Sequence, residues 1–214
     1  RNGVSPLEVE NFYNKTYVEK NSYSKGELLS AREHFEARLE SVRAISDYIK
    51  PLLNKNMRVF ELGAATGELL YLIKNDVKYC FANEINHLYT SFIKHELNIE
   101  ASSEDYMSLE FQNKFDGIWA CASLLHIDKK LTESVFNILC NALRDDGVLY
   151  ASYKYGKGTS ILEDRYYNNY DETSFAELID NVNNFEILTN WITKDLRPDR
   201  QDEKWLNVIL KKSS

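Results

Sequence analysis

The sequence predicts an α/β fold, a doubly wound sheet that is mostly parallel with helices on both faces. Two observations carry this. After Pro51, apolar runs of strand length at residues 57–61, 79–83, 116–121 and 147–153 alternate with helical periods at residues 67–74, 88–97 and 130–143. Right-handed crossovers between such strands make them parallel and place the helices on the faces of the sheet. The last two strand-like runs, residues 185–193 and 204–210, have no helix between them, so they are expected to pair as antiparallel neighbours.

Composition agrees with one globular domain. The chain has 214 residues, 43% hydrophobic and 28% charged, and a chain of that size buries about 70% of the surface it exposes when unfolded. Residues 1–214 are therefore read as a single domain: an N-terminal helical arm over 1–50, a core over 57–155, and a loop with C-terminal strands over 156–214. No apolar run approaches the roughly 20 residues of a membrane helix, and the start lacks a signal-peptide apolar region, so a cytoplasmic protein with no membrane partner is expected. Position 1 is Arg, which leaves room for a processed chain or a piece of a larger one with another chain or domain as partner. The net charge of −7, with no basic arm, argues against nucleic acid. Cys80, Cys121 and Cys140 are odd in number and widely spaced, so they read as core thiols rather than a disulfide framework or metal site.

Along the chain, residues 9–18 carry Phe12, Tyr13 and Tyr17 in a short helix or arm. From Ser24 to Pro51, Leu28, Phe35, Leu39, Val42, Ile45 and Ile49 recur at helical spacing. Ser24 with Glu27 supplies a capping box and Pro51 a stop, so one long helix is expected. Residues 153–172 are polar and aromatic and read as a flexible connection, either a plain surface loop or a substrate lid. A helix is expected near residues 173–180.

The chemistry sits in Met57-Arg-Val-Phe-Glu-Leu-Gly-Ala-Ala-Thr-Gly-Glu-Leu-Leu70. A strand ends near Glu61, the chain turns through Gly63, Ala64, Ala65 and Gly67, and a helix follows. Small residues there let a ligand touch backbone, and the helix start offers free N–H groups. A dinucleotide fingerprint needs a small residue where Glu68 stands, and an acid at that point repels a pyrophosphate. Gly156-Lys157 is followed by Gly158, so the phosphate-cradling Gly-Lys-Ser/Thr ending is missing. What fits is a cationic nucleoside without phosphate.

This stretch resembles the glycine-rich motif of class I S-adenosylmethionine-dependent methyltransferases, acid-x-Gly-x-Gly-x-Gly, with Ala65 in place of the middle glycine. Further matches follow in the family's order. Glu84, 17 residues past Gly67 at the end of the second strand, stands where the family holds both ribose hydroxyls, and its neighbour Ile85 lies beside the cofactor. Asp105 and Tyr106 stand where the family holds the adenine amino group and ring, and Ala120 at the end of the fourth strand. Glu61 would reach the cofactor's ammonium. From Phe115 onward the chain is similar to tellurite-resistance-type members, and from Val59 to Tyr106 to sugar and glycan-tailoring members. The resemblance covers residues 57–155 and implies a Rossmann-like seven-stranded sheet with an antiparallel C-terminal strand, S-adenosylmethionine as cofactor, and methyl transfer to a small-molecule or sugar-type acceptor.

Candidate acceptor-side residues are His126, Tyr153, Lys154, Arg165 and Tyr166, with Tyr170 beside them. His126 falls just past a strand's C-terminal end, where it is either a general base or a satisfied structural histidine. Arg197 and Arg200 rim the same region or end a charged hairpin. No His, Cys, Asp and Glu grouping has metal spacing, so no metal is expected. The family's Asn/Asp-Pro-Pro-Tyr segment for planar amino groups is replaced by Ala120-Cys121-Ala122-Ser123, which demotes DNA amino-methylation. Two other readings stay open: a catalytically silent cofactor-binding module, and a nicotinamide oxidoreductase, which Glu68 disfavours.

Overall fold

The computed structural model describes residues 23–24, 27–162, 165–195, 200 and 202–213. The arm expected over residues 9–18 lies outside them, as does Arg197. The chain divides into two compact units, residues 1–105 and 106–214.

In the first unit, β1 (Tyr23–Ser24) pairs antiparallel with β2 (Glu27–Leu28), ahead of α1 (Ala31–Ile49). The helix thus starts seven residues later than the sequence predicts. Ser24 and Glu27 are register partners in the β1–β2 ribbon, whereas the same Ser-x-x-Glu spacing recurs at Ser30 and Glu33 and closes there on both sides. Pro51 ends the helix in a short 3-10 turn, Lys50–Leu52. Phe35 anchors α1, its ring 5.3 Å from Tyr71 and 5.5 Å from Phe92.

Three parallel strands follow with two helices between them: β3 (Arg58–Leu62), α2 (Glu68–Ile73), β4 (Tyr79–Asn83), α3 (His87–His95) and β5 (Glu100–Ser102). Phe60, Leu62, Leu70, Ile73 and Ile93 are fully buried between them. Strand β5 is three residues long with a single buried position, too short to show a period of two.

In the second unit, β6 (Phe115–Ala120) runs parallel to β7 (Leu143–Lys154), joined through 3-10 turns at Leu124–His126 and Lys129–Leu131 and α4 (Thr132–Ala142). Residues 153–172 are not a flexible loop: β8 (Gly158–Leu162) and β9 (Arg165–Asn169) form an antiparallel hairpin. Its polar composition hides it, since residues 158–161 of β8 are exposed, β9 buries only Asn168, and Gly156 and Gly158 punctuate the entry. After α5 (Glu172–Val182), β10 (Phe185–Lys194) and β11 (Lys204–Lys212) pair antiparallel as expected, and β11 pairs antiparallel with β7.

The seven-stranded sheet has the order β10-β11-β7-β6-β3-β4-β5, a Rossmann-like arrangement in which β11 opposes both of its neighbours. No helix among the described residues is long and apolar enough to cross a membrane.

Candidate functional site

In the first unit the loop between β3 and α2 turns by left-handed backbone at three of its five positions, Gly63 (φ 72), Ala65 (φ 47) and Gly67 (φ 82). Glycine adopts that region freely, and Ala65 carries a cost of about 1 kcal/mol for its methyl. The loop is pinned to the neighbouring strand: the N–H groups of Gly63 and Ala64 both donate to Asn83 O, at 2.9 and 3.0 Å. Gly67 N–H closes the turn on Ala64 O at 2.8 Å. A Cβ on Gly67 would lie 3.0 Å from Ile93 and 3.2 Å from Leu97, so the glycine is required by packing against α3 as well as by its φ.

Three carboxylates gather at this loop. Glu84 follows β4 and is 7% exposed. Its Oε2 accepts the Ala65 N–H at 2.8 Å and its Oε1 the Asn86 N–H at 2.9 Å. Each oxygen keeps a second lone pair, the acceptor pattern that a vicinal diol needs. Burial pushes its pKa up to about 7 against the two backbone hydrogen bonds that favour the ion. Glu61, 8% exposed near the end of β3, has an Oε2 with no hydrogen-bond partner. Burial, reinforced by Glu68 and Glu84, holds its carboxyl well above the usual range, opposed by Arg38 and the Leu70 N–H. Glu68, 2% exposed on the first turn of α2, accepts from Thr66 Oγ1 at 2.6 Å and from Arg38 Nε at 3.0 Å.

This geometry fits the S-adenosylmethionine that the motif implies. An orphaned buried carboxylate oxygen suits a positive group, the small left-handed turn admits close approach, and Glu84 offers paired acceptors. Glu61, Gly63, Ala64, Ala65, Gly67, Glu84 and Ile85 come together here, and Asp105 follows three residues after β5. Sequence reading used Glu68 only to exclude a pyrophosphate, and it passed over Arg38, whose partner stands 30 residues away.

Tyr106 and Ala120 belong to the second unit, at the start of a 3-10 turn and the end of β6. There the hairpin's Arg165 and Tyr166, with Lys154 at the end of β7, surround the His126 imidazole. A carbonyl can only accept, so His126 Nδ1–H donates to Tyr166 O at 2.7 Å, and Nε2 accepts from Arg165 Nη2 at 2.5 Å. Burial and the charges of Arg165 and Lys154 lower the His126 pKa to about 3, so the ring is neutral with both nitrogens engaged. Tyr167 meets His126 edge-on at 4.9 Å, and Arg165 and Lys154 lie 5.6 and 5.5 Å from the Tyr167 ring. Lys154 also pairs with Glu203 at 2.7 Å, and Tyr166 donates to Asp128 at 3.0 Å. Tyr153 and Tyr170 pack edge-on at 5.0 Å over Phe175, both hydroxyls buried without a partner. Burial raises both phenols above their ordinary pKa. Arg200 is exposed.

No family model and no curated protein matches the chain. Solved structures do. The 1,6-didemethyltoxoflavin-N1-methyltransferase of Burkholderia thailandensis, with 1,6-didemethyltoxoflavin and S-adenosylhomocysteine bound, matches with TM-score 0.66 and 16% identity over 86% of this chain and 87% of that one. The magnesium protoporphyrin IX methyltransferase of Synechocystis, with S-adenosylhomocysteine bound, matches with TM-score 0.68 and 13% identity over 98% and 100%. The [4+2]-cyclase SpnF matches with TM-score 0.63 and 15% identity over 81% and 82%. The fold is therefore that of the class I S-adenosylmethionine-dependent methyltransferases. A cyclase sharing it shows that the reaction has to be argued from the site.

Proposed function

We propose that this chain is an S-adenosylmethionine-dependent methyltransferase acting on an oxygen or nitrogen of a small-molecule or sugar-type acceptor. The observation that carries the reading is the cradle itself: the left-handed turn of residues 63–67 tied to Glu84, beside the orphaned Oε2 of Glu61. When bound, the cofactor supplies an activated methyl on a sulfonium whose leaving group is a neutral thioether, so the protein's task is binding, alignment and exclusion of water. Glu61 would offer its free oxygen to the cofactor's ammonium, Glu84 would accept from both ribose hydroxyls, and Asp105 and Tyr106 would serve the adenine. Ala64, Ala65, Ile85 and Ala120 would supply close apolar contact.

On the acceptor side, Arg165 and Lys154 would hold an anionic or hydroxylated group, with the Tyr153 and Tyr170 hydroxyls as further donors. His126, neutral and engaged at both nitrogens, would fix the Arg165 guanidinium rather than abstract a proton. That arrangement favours an acceptor nitrogen that attacks as a neutral amine and needs no base.

Incubating the chain with methyl-labelled S-adenosylmethionine and a fractionated metabolite extract tests the proposal. A labelled small molecule formed only with protein present is the expected result. Saturable cofactor binding with no labelled product from any fraction would instead make the chain a silent binding module.

A further inference from the structure

We infer that Arg38, on α1, is a positioning residue for the cofactor loop: its guanidinium fixes Glu68, and through Glu68 the Thr66 hydroxyl and the turn of residues 63–67. The inference rests on the methyltransferase reading in one respect, that the ligand of this loop is S-adenosylmethionine.

The chain of contacts is short and buried at its loop end. Arg38 Nε donates to Glu68 Oε1 at 3.0 Å, and that same oxygen accepts from Thr66 Oγ1 at 2.6 Å. Thr66 is 0% and Glu68 2% exposed, so neither has water to replace a lost partner, and an unmatched carboxylate there is costly. Thr66 is flanked by the two left-handed residues Ala65 and Gly67, so the hydroxyl bond acts at the most strained part of the turn.

One helical turn before Arg38, His34 reaches the other side of the cradle. Its Nδ1 lies 2.6 Å from the Tyr89 hydroxyl. The Tyr89 N–H is capped by the Asn86 side chain at 3.0 Å, and the Asn86 N–H bonds Glu84. Helix α1 therefore reaches the turn that carries the small residues through Glu68 and Thr66, and the turn that carries Glu84 through Tyr89 and Asn86.

Charge adds a second consequence. Glu61 from β3, Glu68 from α2 and Glu84 after β4 repel one another, and Arg38 is the cation that acts on both Glu61 and Glu84. The remaining titratable neighbours do not replace it. His34 is held neutral by burial, with its pKa near 4, and Cys80 is pushed up to about 12 by burial and Glu61. Lys74 spends its ammonium on Leu97 O at 2.8 Å. Without Arg38, the carboxylates should need a higher pH to ionise and to bind.

The test is calorimetric titration of the full chain with S-adenosylmethionine from about pH 6 to about pH 9, comparing wild type with Arg38→Met and Arg38→Lys. Arg38→Met should weaken binding about 10- to 100-fold near neutral pH, the scale of one charge-assisted hydrogen bond. Its pH midpoint for binding should rise, and Arg38→Lys should restore most of both. Wild-type affinity with an unmoved midpoint in a folded Arg38→Met overturns the inference, as does a loss that Arg38→Lys does not repair. Should Arg38→Met not fold, Glu68→Gln replaces it: lower affinity with the midpoint moved down supports the clamp, and unchanged binding overturns it. If the wild type binds no S-adenosylmethionine, the methyltransferase reading fails. A thermal double-mutant cycle of Arg38→Met with Glu68→Gln then decides the clamp, non-additivity supporting it and additivity overturning it.

Discussion

The loop cradle of the first unit and the imidazole cluster of the second are both polar and partly buried, yet they are built from different material. The cradle is made of backbone: left-handed φ at positions 63, 65 and 67 and N–H groups tied to Asn83 and Glu84. Short contiguous sequence dictates such a structure, because few residue types tolerate that turn. The cluster around His126 joins side chains from a 3-10 turn and a hairpin strand some 40 residues later, with the Tyr166 carbonyl as the backbone partner of the imidazole. Spacing along the chain says nothing about which nitrogen meets which partner. On the proposed reading the first is the cofactor site and the second the acceptor site, and the two should also respond differently to substitution.

The sharpest break in that comparison is Gly67→Val. A β-branched side chain at φ 82, against Ile93 and Leu97, should abolish S-adenosylmethionine binding and lower stability by about 2–4 kcal/mol through strain and overpacking. Calorimetry and thermal melts check it, and a variant that binds normally removes the loop from the cofactor site.

Next is Glu84. Replacing it by Ala strips the acceptor that serves Ala65 and Asn86 and, on the proposed reading, the ribose diol, and S-adenosylmethionine binding should weaken by about 2–4 kcal/mol. Its raised pKa adds a signed pH dependence. The folded chain holds the proton that the unfolded chain releases at 4.5, so this stabilisation is complete below about 4.5 and is lost as pH rises through about 7. Cofactor affinity should run the other way, rising about tenfold per pH unit until Glu84 is ionised near 7 and then levelling. Parallel melting and binding curves against pH read both signs.

His126→Ala probes the side-chain site. If the imidazole fixes Arg165, kcat/KM for the acceptor should fall about 10- to 100-fold, mostly through KM, while cofactor affinity holds. No ionisation between about pH 6 and about pH 7 should vanish from the rate profile, because the ring titrates far below that range. A large fall in kcat together with the loss of such an ionisation would restore the general-base role. The smallest effect is expected at Ala65→Gly, where relief of the positive φ offsets the entropy of glycine. Stability should change by less than about 1 kcal/mol and cofactor affinity should stay close to that of the wild type.

The alternating strands and helices after Pro51 were legible because the central strands are buried over consecutive positions and read as short apolar runs, while the helices between them bury one periodic face, and the antiparallel final pair followed from the missing crossover. The start of α1 was not, since two Ser-x-x-Glu pairs compete and only the second meets helical backbone. The β8–β9 hairpin was hidden by its polar composition. Glu61, the 63–67 turn and Glu84 could be placed because each ends or follows a strand. Arg38 and the neutrality of His126 could not, because each depends on a contact 30 or more residues away.

Equilibrium dialysis of the wild-type chain against methyl-labelled S-adenosylmethionine, with a nicotinamide dinucleotide as competitor, tests the central claim most directly. One saturable site per chain, undisturbed by the dinucleotide and lost in Glu84→Ala, is the expected result. No retained label, or label displaced by the dinucleotide, would contradict the assignment of this loop to S-adenosylmethionine.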